Sequence, residues 1–428
     1  MSFPRYPKYK DSGVEWLGEV PEHWETCSLK RIVRMQSGES ITAERIEEVG
    51  DYPVFGGNGL RGFTSAFTHD GHYVLVGRQG ALCGNVNYTE GKFWASEHAV
   101  VVSPVKQVET VWLGEMLRSM NLNQHSVSAA QPGLSVDQLT RLLTVVPPLA
   151  EQTGIAAFLD REAGKIDDLV AEQQRLMELL KEKRQAVISH AVTKGLNPRA
   201  PMKPSGIEWL GDVPEHWRVM PLGRISISRC DGPFGSGLKS EHYAESGVRV
   251  IRLQNIRHDG FDGTDEAFVD HGYYNRELVG HEVVAGDVLI AGLGDDNNTV
   301  GRACVAPSGL EPAMVKADCF RFRLDLLGAL PEFVAMALNV GATADAGILA
   351  SGSTRVRIPL STMATRKLPI PPLGEQRAIA RFARDASQYL DALAAESQKA
   401  IDLLQERRTA LISAAVAGQI DVRKLAAA

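Results

Sequence analysis

The apolar positions of this chain fall into two long stripes of helical period. A comb with a seven-residue step picks out Leu159, Ile166, Gln173, Leu180 and Val187, and a second picks out Ala383, Leu390, Ser397, Leu404 and Leu411. Interleaved positions add Leu169 and Leu176 to the first stripe, and Leu393 and Ala400 to the second. Such a repeat marks a helix that packs along another helix, and the polar Gln173 and Ser397 fall at equivalent steps. Each stripe begins just after a Pro-Pro pair, which ends a strand and presets the chain for a helix start. Two readings are open, independent amphipathic helices or one antiparallel coiled-coil pair. Their matched length, and the lack of another apolar partner for either, favour the pair. Between Ile166 and Thr193 the first helix would span roughly 42 Å at about 1.5 Å per residue. Glu172, Lys181, Glu182, Lys183 and Arg184 read as its solvated surface.

The stripes belong to a larger repetition. Residues 9–24 read YKDSGVEWLGEVPEHW, and residues 202–217 read MKPSGIEWLGDVPEHW. Residues 146–196 begin VPPLAEQTGIAAFLDREAGKIDDL, and residues 370–420 begin IPPLGEQRAIARFARDASQYLDAL. The order is box, variable region, helix, then the same again. The variable regions, about 25–145 and 218–369, differ in length and show no evident similarity to each other. A unit this long points to duplication of a whole module, not to a solenoid. The boxes read as structural: Trp16, Trp24, Trp209 and Trp217 bring large aromatic area, and Pro21 and Pro214 force an extended turn. His23 and His216 have no second histidine or acid at useful spacing within the box, so packing or capping is their expected role.

Composition adds limits. A chain of 428 residues exceeds one ordinary core, so two or more domains are expected, and 23% charged residues suit a soluble globular protein. No stretch is apolar enough to cross a bilayer, and the start lacks the apolar segment of a signal peptide. Cys27, Cys83, Cys230, Cys304 and Cys319 are odd in number, scattered and without a C-x-x-C pair. That pattern predicts a cytoplasmic protein with neither a disulfide framework nor a zinc site. The net charge of −6 does not by itself suggest a nucleic-acid binder, so any basic surface has to be local or shared with a partner.

With the W-L-G-x-V-P-E-H-W boxes, the P-P-L-x-E-Q helix starts and the two-insert order together, the sequence resembles type I restriction–modification specificity subunits along nearly its whole length. In the first insert, YPVFGGNGLRG (52–62), GRQGALCG (77–84) and QPGLSV (131–136) resemble a common target recognition domain. In the second, DGPFGSGLKS (231–240), VIRLQNI (250–256), GDVLI (286–290) and SGSTRVRIP (351–359) are similar to family stretches. The resemblance implies a non-catalytic subunit that reads double-stranded DNA and assembles with two adenine-N6 methyltransferase (modification) subunits, with a motor endonuclease as an optional further member. S-adenosylmethionine, and ATP with Mg for restriction, would sit on those partners, and this chain would bind no cofactor or metal.

The expected fold is mixed α/β, two strand-rich target recognition domains separated by two long antiparallel coiled-coil helices in a pseudo-two-fold tandem repeat. The expected parts are a first recognition domain with its box (1–145), a spacer helix (146–197), a second recognition domain with the repeated box (198–369), a second spacer helix (370–423) and an apparent cloning remnant (424–428). A tandem repeat imitates a homodimer, so equivalent outer surfaces would dock one partner type twice while unlike inserts read unlike half-sites. One DNA turn, about 34–36 Å, is comparable with the helix span.

Base edges are read by Arg or Lys at guanine and by Asn or Gln at adenine, while phosphates are held by Arg, Lys, Ser and backbone amides. In the first insert Asn58, Arg61, Arg78, Gln79, Lys92, Ser96 and His98 lie in loop-like contexts, with Glu97 in the same polar cluster. In the second, the candidates are Lys239, Arg252, Gln254, Asn255, Asn297, Asn298, Arg302, Ser353, Thr354, Arg355 and Arg357. For each, a solvated loop or a capped turn is an equal reading. Arg252 and Arg323 also fit a strand surface.

Several motifs are turned down. GNGLRG (57–62) has the spacing of a dinucleotide fingerprint but is followed by FTSAFT, which is not a helix start. In 232–240 Leu238 breaks the G-K-[ST] of a phosphate-binding loop. The Asn- or Asp-Pro-Pro-aromatic signature of adenine methyltransferases is absent, and Asp295-Asp296 fits a polar turn. Other functions considered are a subunit of a methylation-only or type II-like system, a nucleotide-dependent or methyl-transferring enzyme, and a coiled-coil adaptor. Small, hydroxylated and basic residues make 353–357 the best phosphate clamp by composition. Arg355→Ala should therefore weaken DNA binding while leaving the thermal midpoint in place, and unchanged affinity in a folded variant would remove Arg355 from the interface.

Overall fold

A computed structural model describes residues 3–80, 82–126, 133–234, 237–295, 297–345 and 356–425. The two stripes form helices α1 (Leu149–Lys194) and α2 (Leu373–Val416). The chain divides into two units, residues 1–175 with 397–428, and residues 176–396. Each unit thus holds part of both long helices.

Within each unit the helix segments run antiparallel. In the first, Leu159 and Ile166 share a core with Leu411, Ile412, Ala415 and Val416, and Arg408 donates to both oxygens of Asp167 at 2.8 and 3.2 Å. In the second, Arg184 lies 3.5 Å from Asp391, and Ala191 and Val192 share a core with Ile379. Leu159, Ile166, Leu180, Ala383, Leu390, Ser397 and Leu411 are buried, as the comb predicts. The interleaved row needs correction, because Leu169 and Leu176 are 45% and 42% exposed. Val170 packs on the first core instead, and Ile401 and Ala415 are buried. Four residues overshoot a 3.6-residue turn by about 40° and three undershoot it by about 60°, so the step of four stays nearer the seam.

The boxes grip the helix starts through one dipeptide, Glu-Gln. In the first unit the Glu151 carboxylate accepts from Tyr6 Oη at 2.8 Å and Trp24 Nε1 at 3.1 Å, and His23 Nε2 lies 2.7 Å from its other oxygen. Burial, reinforced by that carboxylate, pushes the Tyr6 phenol well up from its ordinary value. In the second unit Trp217 Nε1 donates to Glu375 Oε2 at 2.9 Å, and His216 Nε2 lies 2.6 Å from Oε1. The box histidines are therefore packing groups, as expected. The adjacent glutamines act alike: Gln152 donates to Pro147 O and accepts from Glu109 N, and Gln376 donates to Pro371 O and accepts from Leu330 N. Helix ends close on the same boxes. Gly418 has φ +73°, and a Cβ there would lie 2.4 Å from Pro21 Cδ, while one on Gly195 (φ +77°) would lie 3.1 Å from Trp217 Cζ2. In either unit, then, one helix start and one helix end hold a fully buried tryptophan, Trp24 or Trp217.

Each insert is tied at its mouth by its own entry and exit strands: Glu25–Ser28 pairs with Leu143–Val146, and Arg218–Pro221 with Lys367–Ile370. The first insert contains β1 (Val33–Ser37), β2 (Tyr52–Gly56), β3 (Gly59–Thr64), β4 (His69–Asp70), β5 (Tyr73–Gly77), β6 (Val86–Thr89), β7 (Lys92–Ala95) and β8 (Ala99–Pro104). They form two sheets, ordered β1-β8-β5-β6 and β3-β2-β7-β4, with β2 and β7 parallel. The second contains β9 (Ser226–Cys230), β10 (Tyr243–Ala244), β11 (Val248–Ile251), β12 (Phe268–Val269), β13 (Glu282–Val283), β14 (Val288–Ala291), β15 (Ala303–Val305), β16 (Ala313–Val315) and β17 (Cys319–Leu324). Its sheets run β9-β17-β14-β15 and β10-β12-β11-β16-β13, with β11 and β16 parallel. Apart from the added β10 and two short ladders of the second insert, Ile256–Arg257 with Gly260–Phe261 and Leu293–Gly294 with Val356–Arg357, the strands of the two inserts have one topology. Helices Thr110–Ser119 and Pro331–Asp345 cover the sheets with Trp112, Leu113 and Met116, and with Phe333, Val334 and Leu338, all buried.

Among the described residues no helix is long and apolar enough to cross a membrane, and no group of His, Cys, Asp and Glu could hold a metal ion. The expected remnant at 424–428 begins as part of the fold: Leu425 packs on the first core, and residues 426–428 lie outside the described set.

Both carboxylates bond a tryptophan and a histidine, and Glu151 a tyrosine as well; the side chain of Glu151 is 9% exposed and that of Glu375 43% exposed. Glu151→Ala strands two buried donors, Tyr6 Oη and Trp24 Nε1, and should cost on the order of 3 kcal/mol, against about 1 kcal/mol for Glu375→Ala, which strands only Trp217 Nε1 at a junction open to water. Urea denaturation of the two variants, followed by tryptophan fluorescence, measures the difference. Equal losses would refute the ranking.

Candidate nucleic-acid interface

Shared strand order and direction put the loops after equivalent strands at the same end of each sheet pair. In the first unit these are the loops after β1, β2 and β5 and the β7–β8 link. They touch backbone to backbone, which requires glycine. A Cβ on Gly57 would lie 3.1 Å from Gln79 O and 3.2 Å from His98 O, and one on Gly77 would lie 2.2 Å from Gly57 O. Of the GNGLRG glycines Gly57 serves this approach, while Gly59 (φ +95°) and Gly62 (φ +145°) lie within strand β3 and not before a helix, so the rejection of a dinucleotide fingerprint holds.

Asn58, Arg78, Gln79 and His98 meet here. Arg78 Nη1 donates to Ser37 Oγ at 3.1 Å, and its backbone N–H to His98 O at 2.8 Å. His98 Nδ1 lies 3.0 Å from Gln79 Oε1, which calls for the ring proton on Nδ1, and Glu97 lies 3.6 Å from Nε2. Asn58 is exposed, 3.5 Å from Asn85 Nδ2. Arg61, in β3, lies along the Gly56 backbone beside the turn. Lys92 does not join them; it starts β7, with Nζ 4.6 Å from the Phe67 ring centroid. Ser96 is a correction, since it is fully buried and has no surface to offer a phosphate.

The second unit repeats the arrangement with other residues, in the loops after β9, β11 and β14 and the β16–β17 link. Gly232 is pressed on the last of these, where a Cβ would lie 2.1 Å from Lys316 C, as one on Gly38 would lie 2.2 Å from Ala95 O. Strand Leu293–Gly294 pairs with Val356–Arg357 and leads into the turn at Asp295. Asp295 Oδ1 accepts from the N–H groups of Asn297 and Asn298, the polar turn the sequence predicts. Asn297 is exposed, and Asn298 Oδ1 accepts from Arg257 Nη1 at 3.2 Å. Arg357 Nε donates to Asp318 Oδ1 at 2.7 Å. Gln254 and Lys239 are exposed, Lys239 lying 3.7 Å from Glu241. Ser353, Thr354 and Arg355 lie outside the described residues.

Two further candidates are corrected. Asn255 is fully buried, donating to Asp262 O and Asp265 O and accepting from Arg252 N, all at 2.8 Å. Arg302 is 4% exposed and donates to the carbonyls of Leu253, Ile256, Leu293 and Thr299. Both hold loops in place, because a buried polar group has to be hydrogen-bonded within the protein. Arg252 is half committed, bound by two nitrogens to Asp265. Arg323 makes two 2.9 Å bonds to buried Asp287 and belongs to the strand surface.

Residues not singled out by sequence include Ser37, Arg257, Lys316, Asp318 and Phe234. Phe234 and Asp231 fall within the family-like 231–240 stretch, whereas no local signal marks Asp318, whose φ is +62°. Burial, foremost, and the nearby Asp318 carboxylate push the Asp231 carboxyl up to about 6, against the N–H groups of Gly232 and Asp318 that lower it.

Comparison with known proteins places this geometry. Residues 21–176 match the model of the type I restriction modification DNA specificity domain. The EcoprrI specificity subunit of Escherichia coli is 49% identical over 165 residues, 38% of this chain and 41% of that protein, so the match spans less than half of that relative. The EcoDI specificity subunit of Escherichia coli is 21% identical over 94% of this chain and 90% of its own length. Among solved structures, one from work on complex assembly and conformational transition of the type I R-M system aligns with a TM-score of 0.67 at 15% identity, covering 93% of this chain and 98% of that one. The HsdS subunit from Thermoanaerobacter tengcongensis aligns at 0.52 and 15% identity, covering 94% and 98%. The chain shares the fold of these two structures, and its first unit carries a match to the type I restriction modification DNA specificity domain.

Proposed function

We propose that this chain is the DNA-reading, non-catalytic subunit of a type I restriction–modification complex, each recognition unit reading one half of a bipartite target. The observation that carries the reading is the recurrence of one topology with two unlike loop clusters. Strand order and glycine contacts repeat, while Asn58, Arg78, Gln79 and His98 in one cluster give way to Asn297, Asn298, Arg257 and Arg357 in the other. A conserved scaffold with interchangeable donors and acceptors is what two different base sequences demand.

The repeated frame then has the other task. Exposed Leu176, Leu179, Phe382 and Tyr389 in the second unit, with Leu169 and Leu403 in the first, leave apolar surface on the long helices. Such surface suits docking of two adenine-N6 methyltransferase subunits, which would carry S-adenosylmethionine, with ATP and Mg on a motor endonuclease where one is present. The helices would fix the gap between the half-sites. The −6 net charge favours DNA binding by the assembled complex over binding by this chain alone.

A genome-wide adenine-methylation map in a methylation-free cytoplasm, with this chain and its neighbouring methyltransferase expressed together, tests the reading. The expected result is a bipartite motif with a fixed gap that disappears when this chain is omitted. In the same assay Gln79→Ala should relax or weaken one half only, by about 5- to 150-fold for a lost bidentate base contact. A stable complex that methylates nothing would instead favour an adaptor.

A further inference from the structure

We propose that Phe234 is a DNA-stacking side chain, entering an opened base step in the half-site read by the second unit; this rests on the DNA-reading function above. The ring is 51% exposed in the loop after β9. Its loop is rooted firmly. Gly232 is pressed against Val315 and Lys316, and Asp231 Oδ1 accepts from Gly232 N at 2.7 Å and Asp318 N at 2.8 Å.

The ring is also backed by a cation. The Arg357 guanidinium lies 5.2 Å from its centroid, and Arg357 Nε is tied to Asp318 Oδ1 at 2.7 Å. Cation–π contact and ion pair together hold Phe234 outward instead of letting it collapse onto the sheet. An apolar ring on a fixed root, among polar loop residues, matches the side chains that DNA-binding proteins insert between base steps or stack on bases. The equivalent loop of the first unit, after β1, carries no aromatic: Glu39 and Ser40 follow Gly38, and Ile41 is buried. The opening is therefore assigned to the half-site read by the second unit.

The test uses the chain assembled with its methyltransferase and a duplex bearing the mapped motif, with 2-aminopurine placed in turn at each adenine of either half. Beyond the target adenines, which the methyltransferases themselves flip out, the wild-type complex should raise the fluorescence at one further position, in the half read by the second unit. Phe234→Ala should abolish that rise and weaken specific binding by about 5- to 150-fold, with an unchanged urea midpoint, and Phe234→Trp should restore both. Motif-specific binding without a rise at any position besides the target adenines, or a Phe234→Ala complex with that further rise and the affinity unaltered, overturns the proposal alone. A wild-type complex that does not prefer the motif over random duplex overturns the function beneath it as well.

Discussion

The structure depends on one interaction made twice, a glutamate at the start of a long helix that receives the indole N–H and the histidine of a distant box. Glu151 and Glu375 are each followed by a glutamine that fixes the backbone before the helix. In each unit this pair of polar side chains binds the box, the helix start and the chain leaving the sheets into one junction. The tryptophan is fully buried, so its N–H needs an acceptor, and a charged acceptor makes the strongest available bond. Once that junction and the mouth strands are set, the insert between them is free to vary in sequence.

That freedom explains how two inserts without evident similarity share a topology. Strand pairing asks only for alternating apolar positions, such as Val74 and Val76 in β5 or Val288 and Ile290 in β14. The loops ask for glycine where backbones cross, at Gly38 and Gly232, and little else. Residue identity at the loop ends is thereby released from folding and available for recognition.

Much of this was legible in the sequence. The repeats located the frame, and the seven-residue comb found the seam, because helical period survives in one sequence. The interleaved row was displaced by one residue, since Leu169 and Val170 are both apolar and composition does not separate them. In the loop clusters, sequence gathered residues that the fold brings together more readily than it judged their burial. Asn255 and Arg302 are polar residues in loops, as readers of bases would be, yet their bonds go to carbonyls brought close only by the fold. Ser96 was misplaced for the same reason, lying beneath the cluster it borders in sequence. Phe234 and Arg357 lie 123 positions apart, and only the fold, with the Arg357 guanidinium 5.2 Å from the Phe234 ring centroid, brings them together.

The central claim is that frame and recognition are separable, one built on the glutamate junctions and the other on loop ends. The most direct measurement is the methylated motif of a chimaera in which residues 25–145 are replaced by the corresponding insert of another specificity subunit. The account predicts that one half of the motif changes to that of the donor while the other half and the gap stay as they were. A change in both halves, or in the gap, would contradict it.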